Sequence, residues 1–145
     1  MGEMGIDGLF ISGEENMFYF TGIRFFTPWT SYPRPSFAAL PREGEPILLV
    51  QENHLTHGRL ASWVKDVRDY PELNGPPAET VAGIIEDAGL KGRRIGAEIG
   101  YEQRINMPVE TFLRVQRIIG VDFGCLFSNL EDADGEVKGG IGVRA

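Results

Sequence analysis

The chain has 145 residues, of which 42% are hydrophobic and 24% charged, a balance that suits one globular domain of about 150 residues and excludes a disordered polyelectrolyte. With 14 basic against 21 acidic residues the formal net charge is -7, so the chain repels phosphate backbones on average and nucleic acid is excluded as a partner. No apolar run reaches the ~18 residues that cross a bilayer, Met1-Gly2-Glu3-Met4-Gly5 has no signal-peptide pattern, and the single Cys125 cannot form an internal disulfide, which together point to a cytoplasmic protein with no membrane partner.

Asp7-Gly8-Leu9-Phe10-Ile11-Ser12 is a short apolar run closed by Gly13, the pattern of a central strand covered on both faces. Residues 14–22 read as a compact aromatic turn ending in Gly22. Residues 23–35 hold Pro28, Pro33 and Pro35 among Phe25, Phe26, Trp29 and Tyr32, which predicts an irregular loop because proline removes ladder donors. Ser36–Leu40 and Pro46–Val50 flank a Pro/Gly turn and predict a β-hairpin. A helix is expected from Asn53, as N-cap, to about Val64, with Leu60, Ala61 and Val64 inward. Val67–Tyr70 reads as a short strand. Pro76 and Pro77 precede an amphipathic helix with Val81, Ile84, Ile85 and Ala88 on one face and Gly89 at its end. Arg94–Glu98 is the last strand expected. Pro108 opens a helix with Val109, Phe112 and Leu113 inward and Gly120 as its stop. The sum is one α/β domain: a mixed β-sheet with helices on its faces.

The chemistry-bearing residues are sparse. His54 and His57 are the only histidines; a metal would need a third ligand, for which Glu52 is the nearest choice, and two solvent-facing histidines is the better reading. Cys125 has no nucleophile signature and reads as a structural thiol. Lys91-Gly92-Arg93-Arg94 reads as a solvated loop. Glu14-Glu15, Asp66 with Asp69, Glu86-Asp87 and Glu131-Asp132 read as solvated charge. Glu98 differs, because it ends a buried strand, where a carboxylate needs a salt bridge or a backbone contact. No GxGxxG or P-loop pattern occurs among the 19 glycines, so phosphate cradling has no support. The residues alone define no catalytic set.

Several segments in succession resemble one family. Asn16-Met17-Phe18-Tyr19-Phe20-Thr21-Gly22 resembles the N-x-x-Y-x-[ST]-G segment of the amino-terminal domain of creatinase and prolidase. Gly5–Ile11 is similar to that family's opening strand, Gly44–Val50 to its G-E-P-x-L hairpin, Val67–Tyr70 to its v-x-x-y strand, and Gly92–Glu98 to its G-x-r-I-G-x-E segment. The resemblance covers about residues 5–120. It implies a ribonuclease-H-like mixed β-sheet with helices on both faces, in which Asn16, Tyr19, Thr21, Gly22 and Glu98 are structural motif residues. A nuclease by analogy of fold is not implied, since fold does not transmit function.

In that family the chemistry lies in a carboxyl-terminal pita-bread domain with two divalent metals (Mn, Co or Zn) held by two Asp, one His and two Glu in the peptidase members. No histidine follows His57 here, so the resemblance implies no cofactor and no catalysis in this chain alone. The expected organisation is a creatinase/prolidase-like domain over residues 1–128 and the start of a linker or tail over 129–145, in a piece of a longer Xaa-Pro dipeptidase, aminopeptidase or creatinase-like hydrolase. Its expected partners are its own catalytic domain and a second subunit in a homodimer. Arg24, Phe26, Trp29 and Tyr32 would face an interface or the partner's substrate entrance, aromatics with arginine suiting both an interface core and a substrate carboxylate. The alternative is a free-standing dimerisation or peptide-binding module.

Overall fold

Six short strands form one sheet in the computed structural model, which describes residues 5–24, 34–100, 103–120 and 123–125. In chain order they are β1 (Gly8–Ile11), β2 (Phe37–Pro41), β3 (Ile47–Gln51), β4 (Asp66–Tyr70), β5 (Ile95–Ala97) and β6 (Phe123–Cys125). Their spatial order is β4-β3-β2-β1-β5-β6. The hairpin pairs β1 with β2 and β2 with β3 antiparallel, while β3–β4, β1–β5 and β5–β6 are parallel. The mixed sheet is as the sequence predicts. β6 is an addition, since three residues after a helix leave too short an apolar run to register as a strand, although Phe123 is fully buried.

Side chains alternate between two cores, as the two-residue period of a strand requires. Phe10, Phe37, Ala39, Leu49 and Phe123 face α3 (Ala78–Asp87) and α4 (Val109–Ile119), which contribute Val81, Ile84, Ile85, Val115 and Ile119. Leu9, Ile11, Ala38, Leu48 and Val50 face the other way, onto α1 (Glu14–Thr21) and the neighbourhood of α2 (Leu55–Ala61), with Met17 and partly buried Phe20 and Leu55. On the first face a line of rings runs across the sheet. Phe10 stacks on Phe37 at 5.6 Å, lies 5.6 Å from Phe123, and Phe123 stacks on Phe112 of α4 at 5.1 Å. Such pairs add about 0.5–1.5 kcal/mol each beyond the area they bury.

Three local expectations need correction. Residues 14–21 are a helix, not an aromatic turn. Glu14 and Glu15 sit in its first turn, where the dipole favours negative charge, and Gly22 closes it at φ 76°, a left-handed C-cap natural to glycine. Its buried residues are only Met17 and Thr21, so hydrophobic periodicity could not reveal it.

The helix after β3 begins later and is shorter than predicted. Glu52–His54 form a 3-10 turn whose cap is Gln51, with Oε1 accepting from the Asn53 N–H, and α2 ends at Ala61. Only Gly58 is buried in α2, against Val67, Ile23 and Val50 side chains, while Leu60 is 83% exposed. Close approach of helix and sheet at a glycine replaces the apolar face that Leu60 was expected to supply.

In α4 the inward face is Phe112, Val115 and Ile119, at i, i+3 and i+7, and Val109 and Leu113 point outward. Too many apolar residues in the first turn put the predicted stripe out of phase. Pro77 and Gly89 bound α3 as predicted, and Gly120 ends α4 at φ 71°. No described helix is long and apolar enough to cross a membrane.

Candidate functional site

The parallel strands β1 and β5 are neighbours and end side by side, which brings Ser12 and Gly13 next to Glu98. Glu98 is only 4% exposed. Its Oε2 accepts the backbone N–H groups of Ser12 and Gly13, each at 2.6 Å, and its Oε1 accepts from Asn16 Nδ2 at 2.5 Å. The first turn of α1 has no side-chain cap of its own. Glu98 therefore supplies, from more than eighty residues away, the acceptor that orphan N–H groups at a helix start require. Gly13 is needed for space, because a Cβ there would lie 2.5 Å from Glu98 Oε1.

Around this contact Ser12 Oγ donates to the Arg104 carbonyl at 3.1 Å, and Asn106 Nδ2 donates to the Ser12 carbonyl at 2.7 Å. A buried carboxylate is thus held by neutral donors alone, with no ion pair to it among the described residues. Three donors from the end of β1 and the first turn of α1 hold it, so the geometry makes it a cross-tie between the end of β5 and the start of α1.

The other motif residues finish α1. Thr21 Oγ1 donates to the Met17 carbonyl at 2.5 Å and accepts from Ile23 N–H at 3.3 Å. The Thr21 carbonyl accepts from Ser62 Oγ at 2.6 Å, tying α1 to the end of α2. Tyr19 is 80% exposed, its ring edge-on to Phe20. Beyond Gly22 the chain runs through buried Ile23 to Arg24, whose guanidinium lies 4.3 Å above the Phe18 ring and whose carbonyl is 2.8 Å from His57 Nε2. Arg24 is the one residue of the expected interface set that the structure places; Phe26, Trp29 and Tyr32 lie outside the described residues.

His57 is exposed, but His54 is half-buried, which corrects the expectation of two solvent-facing histidines. Burial, His57 and Arg34 hold the His54 pKa below the ordinary value. With Glu52 these do not form a three-ligand group, and no set of three His, Cys, Asp or Glu that could hold a metal occurs among the described residues.

Two of the acidic residues read as solvated instead share Arg68. Its Nε and Nη2 hold Asp66 at 2.9 and 2.8 Å, and its Nη1 meets Asp87 of α3 at 2.5 Å. The bond from Arg68 lowers the Asp66 pKa. Lys91 pairs with Glu86, and the Arg94 N–H donates to Asp7 Oδ2, 87 positions away at the start of β1. Cys125 ends β6, and Glu131-Asp132 lies outside the described residues. At the opposite end of the sheet, a cleft of 230 Å³ is lined by Asp7, Arg42, Glu43, Leu90 and Arg93 among others. Sequence reasoning missed it, because its walls come from three separate turns.

Sheet order, two-sided helix cover and the cross-tied α1 define an α/β domain of the mixed-sheet class. A family model described as the Creatinase/Prolidase N-terminal domain matches residues 1–138, and the chain belongs to that family. No curated protein matches it. Among solved structures, the Creatinase/Prolidase N-terminal domain of an X-Pro dipeptidase from Streptococcus pyogenes is 21% identical, with a TM-score of 0.63 over 86% of each chain. An Xaa-Pro dipeptidase from Bacillus anthracis is 12% identical with a TM-score of 0.59, matched over 84% of this chain and 29% of its own. Dipeptidase PepE from Mycobacterium ulcerans is 22% identical with a TM-score of 0.59, over 86% of this chain and 31% of its own. These likenesses establish the shared fold, and the chain spans under a third of the two longer proteins.

Proposed function

We propose that this chain is the non-catalytic amino-terminal domain of a cytoplasmic, metal-dependent Xaa-Pro dipeptidase, aminopeptidase or creatinase-like hydrolase, with residues 1–128 as the domain and 129–145 leading toward a catalytic domain. The observation that carries the reading is the family match over residues 1–138, together with Xaa-Pro dipeptidases that share the fold over a fraction of their length. The carboxylates with placed partners support it, since Glu98, Asp66, Asp87 and Glu79 are engaged in hydrogen bonds or ion pairs. His54, His57 and Glu52 do not fit the two-metal set, so the divalent metals belong to the catalytic domain. In a homodimer, Arg24, Phe26, Trp29 and Tyr32 contribute to the subunit interface and to the partner's substrate entrance.

A second reading, a free-standing dimerisation or peptide-binding module, draws on the exposed rings of Tyr19 and Trp63 near the joined ends of α1 and α2. The size of the native polypeptide in its source cells separates the two. An immunoblot band well above twice 16.1 kDa is expected, and a sole band near that mass would establish the free-standing module. In the long form, Arg24→Ala with Trp29→Ala is expected to lower kcat/KM by about tenfold, the loss of one good charged or aromatic contact in the transition state. Unaltered kcat/KM would remove the entrance role.

A further inference from the structure

The turn that joins β4 to α3, residues 71–77, is held at two points. On the incoming side the Leu73 carbonyl accepts from Arg34 Nη1 at 2.7 Å. On the outgoing side Pro76 is buried, directly before Pro77, the N-cap of α3. Between these points stand Asn74 and Gly75. Gly75 has φ 112°, a conformation that residues with a side chain rarely adopt, so the turn requires glycine there. Asn74 is exposed, and among the described residues no hydrogen bond engages its carboxamide or the Gly75 N–H. The missing Cβ that permits the turn also leaves the Gly75 nitrogen unscreened beside the Asn74 carboxamide. The other described asparagines are placed differently. Asn16 Nδ2 donates to Glu98, and the N–H of the next residue, Met17, is bonded to the Gly13 carbonyl. Asn106 Nδ2 donates to the Ser12 carbonyl and precedes Met107, while Asn53 lies in the 3-10 turn and precedes His54.

We propose that Asn74-Gly75 is a site of spontaneous covalent modification, at which Asn74 deamidates to isoaspartate and aspartate and so frees Arg34 from the turn. The Gly75 nitrogen loses its proton to base and attacks Asn74 Cγ, forming the N–C bond of a five-membered succinimide. The Cγ–Nδ2 bond breaks, and the amide group takes up a proton and leaves as ammonia. Water, the only other reactant, then opens the ring. Attack at Cγ restores the ordinary backbone with an aspartate side chain. Attack at the main-chain carbonyl carbon leaves the chain running through Cβ and Cγ, as isoaspartate. Either product adds a negative charge one residue from the carbonyl that Arg34 holds. Isoaspartate also lengthens the main chain by one carbon between Leu73 and Pro76. The two anchors are unequal, since the bond from Arg34 is exposed and Pro76 is buried. An exposed hydrogen bond exchanges readily for water, so the bond to Leu73 yields first. Asn74 thereby acts as a chemical timer on the turn from β4 to α3.

Ageing the 145-residue chain in mildly alkaline buffer, with peptide mass spectrometry to locate each conversion, tests the site. Asn74 is expected to convert about tenfold faster than Asn16, Asn53 or Asn106, a barrier difference of ~1.4 kcal/mol. The rate should rise with pH, because the attacking nitrogen must lose its proton. Asn74→Gln would have to close a six-membered ring, so it should stay unconverted, and at this exposed position it leaves the fold intact. Conversion of Asn74 no faster than of the other three, or only in the urea-unfolded chain, would overturn the proposal. The aged fraction carries one more negative charge and separates by anion exchange. Arg34→Ala is expected to lower the folding equilibrium constant of the unmodified chain by up to about fivefold, the worth of one net hydrogen bond. In the isoaspartate fraction the same substitution should change nothing further, since both act on one bond. An equal loss in both, read from urea midpoints, would show that the turn absorbs the added carbon and would overturn the release of Arg34.

Discussion

Glu98 shows how one side chain can be read in part from sequence. A carboxylate following Ile95-Gly96-Ala97 on a buried strand demands partners, so the need is legible. The partners are not, since Ser12, Gly13 and Asn16 lie 82 to 86 positions away and only the parallel register of β1 and β5 brings them close. Likewise Gly13 looks like an ordinary strand terminator until its missing Cβ is seen to be the space that Glu98 occupies. Glu98→Gln replaces one acceptor oxygen by an NH₂ group that faces a donor. It should destabilise the domain by about 2–4 kcal/mol, because a bond to a charged group is worth about 1.5–3 kcal/mol and a buried donor is left unpaired. Asn16→Ala should lower stability by less, about 1–2 kcal/mol, and the double variant by less than the sum, since both act on one bond. Urea unfolding of the four proteins measures this. Additive losses would show that Asn16 and Glu98 do not act together.

At the scale of elements, what was legible followed periodicity and stop signals. α3 has a clean apolar stripe between Pro77 and Gly89 and was found where the sequence put it. α1 was not, because only two of its eight residues are buried and its stability is lent by Glu98 at one end and Ser62 at the other. α4 was found but rotated, since Val109 and Leu113 offered an apolar stripe that competes with Phe112, Val115 and Ile119. The join of β4 to α3 was also hidden, as Arg68 reaches both a strand neighbour, Asp66, and Asp87 on the helix.

That join makes stability depend on pH. The Asp66 pKa is lowered in the folded state, chiefly by the bond from Arg68. Its contribution is therefore fully present above the ordinary aspartate value of 3.8 and is lost as pH falls through the lowered folded value. The side chains of Arg68 and Asp66 are 37% and 40% exposed, so solvent screening holds the effect to about 0.5–1 kcal/mol. Arg68→Ala should lower the urea midpoint at pH 7 and leave it nearly unchanged at a pH well below 3.8. An equal loss at both values would assign the effect to the packing of the arginine stem rather than to its charge.

For the whole molecule, fold and family were legible because they rest on the order of several short segments, each ambiguous alone. Residues 23–35 carried the expected interface role on composition, while the residues bonded to Arg24 and Pro35, His57 and Tyr70, lie far along the chain and show nothing in sequence that links them to that stretch. The two cores pose a separate question of cooperativity. They are divided by the sheet, and each is capped by its own helices, so they could melt apart. β1 argues otherwise, since it lies at the centre of the strand order and sends Phe10 to one core and Leu9 and Ile11 to the other. Losing either core removes half the burial that holds β1, and β1 in turn pairs with both β2 and β5. Phe10→Ala should cost about 3–5 kcal/mol and Ile11→Ala about 2–5 kcal/mol. Both should move one shared thermal transition, with calorimetric and van't Hoff enthalpies equal in each variant. A variant in which one face melts first, leaving a second transition at the original temperature, would show that the sheet separates two independently stable layers.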